Sequence, residues 1–529
     1  MKAVFIYLTT NPQGDEHLGT ASIASYLEHH NIAVELKIIV YDPQNFCIEN
    51  IIDEIPSSDI IGFPIYNTNA LVIYDVAHKL KERFPKILIS VGGPLATDAA
   101  DEILRDCTYI DLVVLGDGEE PYLQLIESIE SKMNIEDIPY ILTQKDKNHE
   151  IKKPHVVELE KLPWVSRQYL EQMIKRGFGT ARLTAARGCC ANCSFCSHNS
   201  YTKSANKHWR GRNIYDVFNE VIYLYKTYGI QSFTFNDGSF EDPGRLGKDR
   251  IREFCKLVIS SGHRFHFWAF LRAETFSEKD VPLIKLMREA GFTEVFIGVE
   301  SQNEADLKIY NKRATPQNNI ESLKLFKKCG INVLFGFIMF NPVSTLDSLK
   351  ENYIFLREEN NWRPHAFVGK VAIYYKTDLH YICMKLNVLK DDFSYLNPFA
   401  YRFIDKNVAQ IWDFIEDNLL KSIIFEKYDF DLFYFNNYMN NLLALFPNET
   451  LKYTHQFQNI LTKVSTLLSA YFYNLFYIQD FQKAIQDISN LEKNMAKYIL
   501  ELNSLKIKMI LHEPFRSYIR QLNLKSKEK

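Results

Sequence analysis

No apolar run in this 529-residue chain approaches the roughly 20 residues that span a bilayer, so no helical membrane segment is expected. The opening Met1-Lys2-Ala3-Val4-Phe5-Ile6-Tyr7 lacks the longer apolar region and small-residue cleavage site of a signal peptide, and it reads as a first strand. An excess of either charge is also missing. Sixty-two Lys and Arg stand against 65 Asp and Glu, a formal charge of -3, which leaves no basic footprint for nucleic acid. The Lys-rich tail, Lys525 to Lys529, reads as a frayed, solvated end. Cysteine is absent after Cys383, which excludes a second cysteine-built cluster in residues 384–529. Nine cysteines in so long a chain form no disulfide framework, and the expectation is a reducing, cytoplasmic setting. There is no internal repeat and no long low-complexity segment.

Hydrophobic content of 46% and charged content of 24% are those of an ordinary globular protein, and the length allows two to four domains. Four of the nine cysteines fall in Arg187-Gly188-Cys189-Cys190-Ala191-Asn192-Cys193-Ser194-Phe195-Cys196. Thiolates are soft ligands suited to iron-sulfur clusters, and Cys189, Cys193 and Cys196 can wrap one corner of such a group. Three ligands leave a fourth position open. A closed zinc site would need a fourth protein ligand, for which His198 is the nearest candidate; otherwise His198 reads as a local hydrogen-bonding residue.

From Met1 to about Glu130, short apolar strands alternate with amphipathic helices. Strands are expected at 2–8, 34–40, 60–65, 87–91 and 112–115, with helices at 18–29, 71–83 and 100–105. This pattern predicts a parallel sheet covered on both faces, with ligands at the carboxyl ends of its strands. Gly92-Gly93-Pro94 and Gly116-Asp117-Gly118-Glu119 stand at two such ends, where glycine permits positive φ and close backbone approach.

Residues 131–180 read as a connector with a charged turn at Lys145-Asp146-Lys147-Asn148. Strand and helix alternation then returns through 181–383. Strands are expected at 232–236, 265–271, 294–299 and 333–340, and helices at 214–228, 249–260, 281–290 and 320–329. The fold class is α/β, with a central (β/α) barrel, whose six-unit partial form (β/α)6 is implied by the resemblance described below and whose chemistry collects at strand carboxyl ends. Those ends carry Asn236, Asp237, Arg272, Glu300, Ser301 and Asn341. Residues 384–529 read as a mainly α-helical region whose aromatic stripes are core. Cys47, Cys107, Cys255 and Cys329 read as packing residues.

The cysteine spacing, with Phe195 before the last thiol, resembles the radical S-adenosylmethionine (SAM) superfamily. The resemblance implies a 4Fe-4S cluster on Cys189, Cys193 and Cys196, with SAM on the open iron and Phe195 against its adenine. It places Asn236 and Asp237 at the methionyl amino group, Arg272 at its carboxylate, and Glu300 with Ser301 toward the ribose and sulfonium. Asn311-Lys312 and Trp209-Arg210-Gly211-Arg212 match family positions, whereas Asn341-Pro342-Val343-Ser344-Thr345 lacks the family's acidic residue.

The order Leu18 to Leu27, Ile60-Ile61-Gly62-Phe63, Val91-Gly92-Gly93-Pro94 and Leu115-Gly116-Asp117-Gly118-Glu119 resembles the cobalamin-binding domain fused ahead of many radical SAM proteins. Residues 1–130 would then form a doubly wound, Rossmann-like cobalamin domain, with Gly19, Gly92, Gly93, Gly116, Gly118 and Glu119 around the corrin. Asp15-Glu16-His17-Leu18-Gly19 is one residue short of the family's Asp-x-His-x-x-Gly, so His17 is not assigned as cobalt ligand. Pro64 stands where relatives have a small hydroxyl residue.

These resemblances imply an enzyme that makes a 5'-deoxyadenosyl radical from SAM and, with cobalamin, methylates an unactivated carbon of a peptide or natural-product precursor. An external electron donor such as flavodoxin or ferredoxin is implied. Two other readings stand beside it. One is a peptide epimerase or cyclase with a vestigial cobalamin domain, in which Cys383 returns a hydrogen atom; the other is a non-catalytic iron-sulfur or corrinoid sensor or carrier.

Overall fold

The computed structural model describes residues 1–11, 14–145, 154–199 and 208–517. Most of the charged turn, from Asp146 on, and the Lys-rich tail lie outside the described residues.

Strands β1 (Lys2–Thr9), β2 (Ala33–Val40), β3 (Ile60–Pro64), β4 (Leu88–Gly92), β5 (Leu112–Val114) and β6 (Ile141–Thr143) form one sheet in the order β2-β1-β3-β4-β5-β6. The first five pair in parallel, and β6 closes the edge antiparallel to β5. The central strands are apolar because both faces are covered, whereas edge strand β2 carries Glu35 and Lys37. Helices Leu18–His29 and Glu119–Glu130 bury Ala21, Leu27, Tyr122 and Leu125 on one side, and Ala70–Arg83 and Ala100–Asp106 bury Ile73, Leu80 and Ile103 on the other. The segment read as a connector adds more than a link: it supplies β6, and its helix Gln168–Lys175 packs Tyr169 and Met173 against the same sheet. Strand order turns back between β1 and β3, the place where open sheets of this kind bind ligands.

The partial barrel begins at β7 (Thr180–Leu183). An antiparallel ribbon of β8 (Ala186–Gly188) and β9 (Trp209–Gly211) carries the cysteine loop. β10 (Ser232–Phe235) pairs in parallel with β7 and with β11 (His266–Trp268), and β12 (Phe270–Arg272) continues to β13 (Glu294–Glu300) and β14 (Asn332–Phe337). The single strand expected at 265–271 is thus interrupted at Ala269, and a parallel bridge from Phe340 to Lys370 extends the arc. Helix Gly244–Ser260 starts earlier than expected, since Gly244-Arg245-Leu246-Gly247 gives little helical signal.

Helices Asp429–Leu445, Pro447–Tyr473 and Phe481–Leu511 pack on the barrel, and Leu468, Phe472 and Phe476 are fully buried. At the amino end of β13, Glu294 Oε2 accepts from the amides of Asn436 (2.5 Å) and Asn440 (2.8 Å). The C-terminal half also reaches the first sheet. Tyr434 donates to Asn11 Oδ1 at 3.4 Å, Tyr375 to Glu102 at 2.6 Å, and Tyr395 meets Tyr74 at 2.7 Å. Among the described residues no helix is long and apolar enough to cross a membrane.

Candidate functional site

The carboxyl ends of the parallel strands face the mouth of the barrel across a cavity of about 440 Å³. Gly19, Gly92, Gly93, Gly116, Gly118 and Glu119 line it from the first domain; Arg182, Thr184, Arg187, Gly188, His198 and Asn236 line it from the barrel side. Two glycines are dictated locally. Gly116 has φ +80°, and a Cβ there would lie 2.3 Å from the His155 carbonyl oxygen. Gly93 has φ +107° and starts the short helix Pro94–Asp98. At Gly92 a Cβ would meet nothing nearer than 3.8 Å, so the bare backbone there leaves room.

His17 caps helix Leu18–His29. Its Nδ1 accepts from the Thr20 backbone N–H at 3.1 Å, and its Nε2 meets the Tyr66 hydroxyl at 2.8 Å. Burial, helped by the Arg182 charge, lowers its pKa to about 4. Both nitrogens are engaged within the protein. Thr20 extends this chain of hydroxyls to Tyr169 at 3.0 Å.

Charged pairs cross from the sheet to the cysteine ribbon. Arg187 donates to Asp117 (3.1 Å), Glu119 (2.7 Å) and Ser22 (3.0 Å), and Arg210 donates to Asp117 at 2.6 Å. Burial pushes the Asp117 carboxyl up, but the two guanidinium groups hold it below its ordinary value. Glu119, read from the sequence as a corrin contact, is 1% exposed and already accepts from Ser22 and Arg187. Nearby, Arg182 pairs with Asp15 and donates to Asn236 at 2.7 Å, and Arg167 bridges Glu16 and Glu220.

The cysteine loop is pinned along its length. Cys190 N–H donates to Asp242 (2.6 Å), Ala191 N–H to Cys189 Sγ (3.4 Å), Ser194 N–H to the Tyr310 carbonyl (2.8 Å), and the Asn311 amide to the Asn192 carbonyl (2.7 Å). Phe195 meets Tyr310 edge-on at 5.4 Å. Burial pushes the Cys193 thiol up to about 11 against the pull of Lys312; Glu300 and Cys196 act in the same direction as burial. No three His, Cys, Asp or Glu side chains among the described residues stand at single-ion spacing. A cluster places each thiolate on a different iron and needs the wider spacing. His198 Nε2 lies against Gly238, where a Cβ would be 2.7 Å away. A soft three-thiol set on a rigid loop, with a backbone N–H aimed at one sulfur, fits a 4Fe-4S cluster.

The other residues read as SAM contacts divide into two groups. Glu300 faces the barrel interior beside the thiols, because a bulge between Gly298 and Glu300 and a φ of +68° turn it there; its Oε1 is 3.6 Å from Lys312 Nζ. Asn236 lines the cavity. Arg272, by contrast, is enclosed by Glu241 (3.4 Å), Asp242 (2.5 Å) and Glu274 (3.4 Å). Asp237 accepts from Ala185 N–H at 2.8 Å, and burial raises its pKa to about 7. Ser301 is fully buried and donates to Asp306 at 2.8 Å, inside the support of the strand end.

Cys383 is fully buried among Val371, Ile373, Leu379, Val388 and Tyr401. Cys107, Cys255 and Cys329 are buried as expected, but Cys47 is exposed, a correction to its reading as a packing residue. It precedes the short helix Ile48–Asp53 in a surface loop, whose inward positions are Ile51 and Ile52.

Comparison with known proteins agrees with this layout. The B12 binding domain matches residues 8–126, and the Radical SAM superfamily matches residues 183–356. An uncharacterized methyltransferase of Pyrococcus horikoshii is 28% identical over 66% of this chain and 74% of its own length. The 4'-phospho-dehydrooxetanocin synthase of Priestia megaterium is 26% identical over 64% of this chain, which spans only 48% of that relative. Among solved structures, the cobalamin-dependent SAM radical enzyme OxsB, with aqua-cobalamin and SAM bound, superposes with a TM-score of 0.70 at 18% identity, covering 98% of this chain and 83% of that one. The radical SAM methyltransferase TsrM of Kitasatospora setae gives 0.55 at 15% identity, over 67% of this chain and 71% of its own. With its three-thiol loop beside a strand-end cavity and both domains matched in order, this chain belongs to the radical SAM enzymes that carry a cobalamin-binding domain.

Proposed function

We propose that the protein is a cobalamin-dependent methyltransferase that acts on an unactivated carbon of a peptide or natural-product precursor. The observation that carries this reading is the cavity between the glycine-rich strand ends and the barrel mouth, lined by Gly92, Gly116 and Gly118 on one side and by Gly188 and Asn236 on the other. The Pyrococcus relative and TsrM, both named as methyltransferases, support it. When bound, the cofactors supply radical generation from SAM and a relay for the methyl group; the protein's part is placement and exclusion of competing reactions.

In this reading Cys189, Cys193 and Cys196 hold the cluster, and Phe195, Asn236 and Glu300 border SAM. Gly19, Gly92, Gly93, Gly116 and Gly118 give the corrin close approach to the backbone. The domain limits in this reading are cobalamin domain 1–130, connector 131–180, barrel 181–383 and helical region 384–529, with β6 and helix Gln168–Lys175 of the connector packed on the first sheet. An external one-electron donor of the flavodoxin or ferredoxin kind serves the cluster.

The test is anaerobic reconstitution with iron, sulfide and hydroxocobalamin, gel filtration, and then turnover with methyl-labelled SAM. Co-elution of a stoichiometric corrinoid and label in a carbon-bound product support the reading. An iron-sulfur protein that retains no corrinoid sinks it.

A further inference from the structure

The inside of the barrel is not packed like its outside. Side chains alternate along a strand, and Ala181, Phe233, Phe267, Leu271, Val295 and Ile297 point outward into the core shared with the helices. Their neighbours along each strand point inward. Register sets these inward residues side by side: Arg182 against Thr234 against Trp268, and Phe270 against Phe296 against Leu334. In a closed barrel such a layer interlocks into a filled core. Here Trp268, Phe270 and Phe296 are only half-buried, and among the described residues they belong to none of the hydrophobic cores. Their rings meet one another, with centroids 4.6 Å apart for Trp268 and Phe270, 5.3 Å for Phe270 and Phe296, and 5.9 Å for Trp268 and Phe296. At the next inward position Gly298 pairs with Gly336, so bare backbone adjoins the belt, and a Cβ on Gly336 would come within 3.1 Å of the Phe296 ring. Below the belt the barrel is occupied: the Asn436 and Asn440 amides reach Glu294, and Thr293 Oγ1 donates to the Asn440 carbonyl at 2.8 Å. Above it, Arg182 and Asn236 line the strand-end cavity. Large apolar surface left out of the core inside a concave site marks a place for a ligand.

We propose that Trp268, Phe270 and Phe296 form the substrate-binding wall, and that the substrate presents to it a planar aromatic group inserted from the strand-end cavity. The assignment rests on the methyltransferase reading above and names a substrate class for it. Three rings held at steep angles to one another offer both edges and faces, and such contacts add to simple area burial only for a partner that is itself aromatic. Glu300 stands on the same face of β13, roughly 13 Å further along than Phe296. A ring seated on the belt therefore leaves the space beside the thiols free.

The test uses the full chain reconstituted anaerobically with iron, sulfide and hydroxocobalamin, with 4-fluorobenzyl alcohol as a fluorine NMR reporter and benzyl alcohol and cyclohexylmethanol as competitors of similar bulk. Wild type binds the reporter and prefers the benzyl competitor by about 3- to 10-fold. Phe296→Leu and Phe270→Leu keep apolar bulk but lose a ring; each weakens reporter binding by about 3- to 10-fold and erases the preference, while iron content and SAM affinity stay as in wild type. Equal displacement by the two competitors in wild type overturns the proposal even where the Leu variants fail to assemble. So does a reporter that does not bind, or a pair of Leu variants that keep the wild-type preference. Wild type that shows the preference and retains no corrinoid supports the aromatic wall and sinks the methyltransferase reading beneath it.

Discussion

Arg187 Nη2 donates to Glu119 Oε1 at 2.7 Å, which fixes the residue two ahead of the first cluster cysteine to the first turn of helix Glu119–Glu130. The loop that would hold the cluster and the strand end that would hold the corrin are therefore tied by a small ion-pair group, Arg187 and Arg210 on Asp117 and Glu119. Its partners are nearly dry, with the Glu119 side chain 1% exposed and Asp117 6%.

Removing that cation leaves buried carboxylate charge behind. Arg187→Met is expected to cost about 3 kcal/mol, read as a lower melting temperature at neutral pH. The loss shrinks in acid: the Asp117 carboxyl is held below its ordinary value, so the stability it contributes is present at neutral pH and disappears as pH falls through its folded pKa. A pH-independent loss would contradict this account.

Gly92 separates binding from folding. Its φ is not positive and a Cβ would meet only Val114, at an ordinary contact distance of 3.8 Å, so Gly92→Leu should fold with a melting temperature within a degree or two of wild type. The added side chain enters the cavity, and corrinoid retained on gel filtration should fall at least tenfold. Undiminished corrinoid would place the cofactor elsewhere.

Glu294 predicts a pH effect remote from the cysteine loop. Burial raises its pKa to about 7, while the Asn436 amide opposes the shift. A raised carboxyl stabilises the fold fully below its unfolded value and loses that contribution as pH climbs through about 7. Thermal unfolding of Glu294→Gln between pH 5 and 8 should fall less steeply than that of wild type; parallel curves would mean the carboxyl does not titrate in this window.

Cys383 sits in a closed apolar cluster, and Cys383→Ala should leave product formation unchanged while costing about 1 kcal/mol of packing. Loss of solvent deuterium incorporation in that variant, with an epimerised product, would revive the hydrogen-donor role.

The cysteine loop and the glycine-rich strand ends were legible because their signals are local: ligand spacing, and glycine where strands stop. The setting of Arg272 was not, since Glu241, Asp242 and Glu274 converge on it from a turn and the following strand end. Nor was that of Lys312, whose pairing with Glu300 depends on a bulge that no periodicity reports. The short strand β6 was hidden in a stretch that reads as linker, because three residues carry too little pattern to separate strand from loop.

Tyr434 bonds Asn11 close to the Asp15–Arg182 pair, and Tyr375 and Tyr395 bond Glu102 and Tyr74 on helices that cover the first sheet. A chain shortened ahead of helix Asp429–Leu445 would lose the first of these contacts along with the amides that cover Glu294.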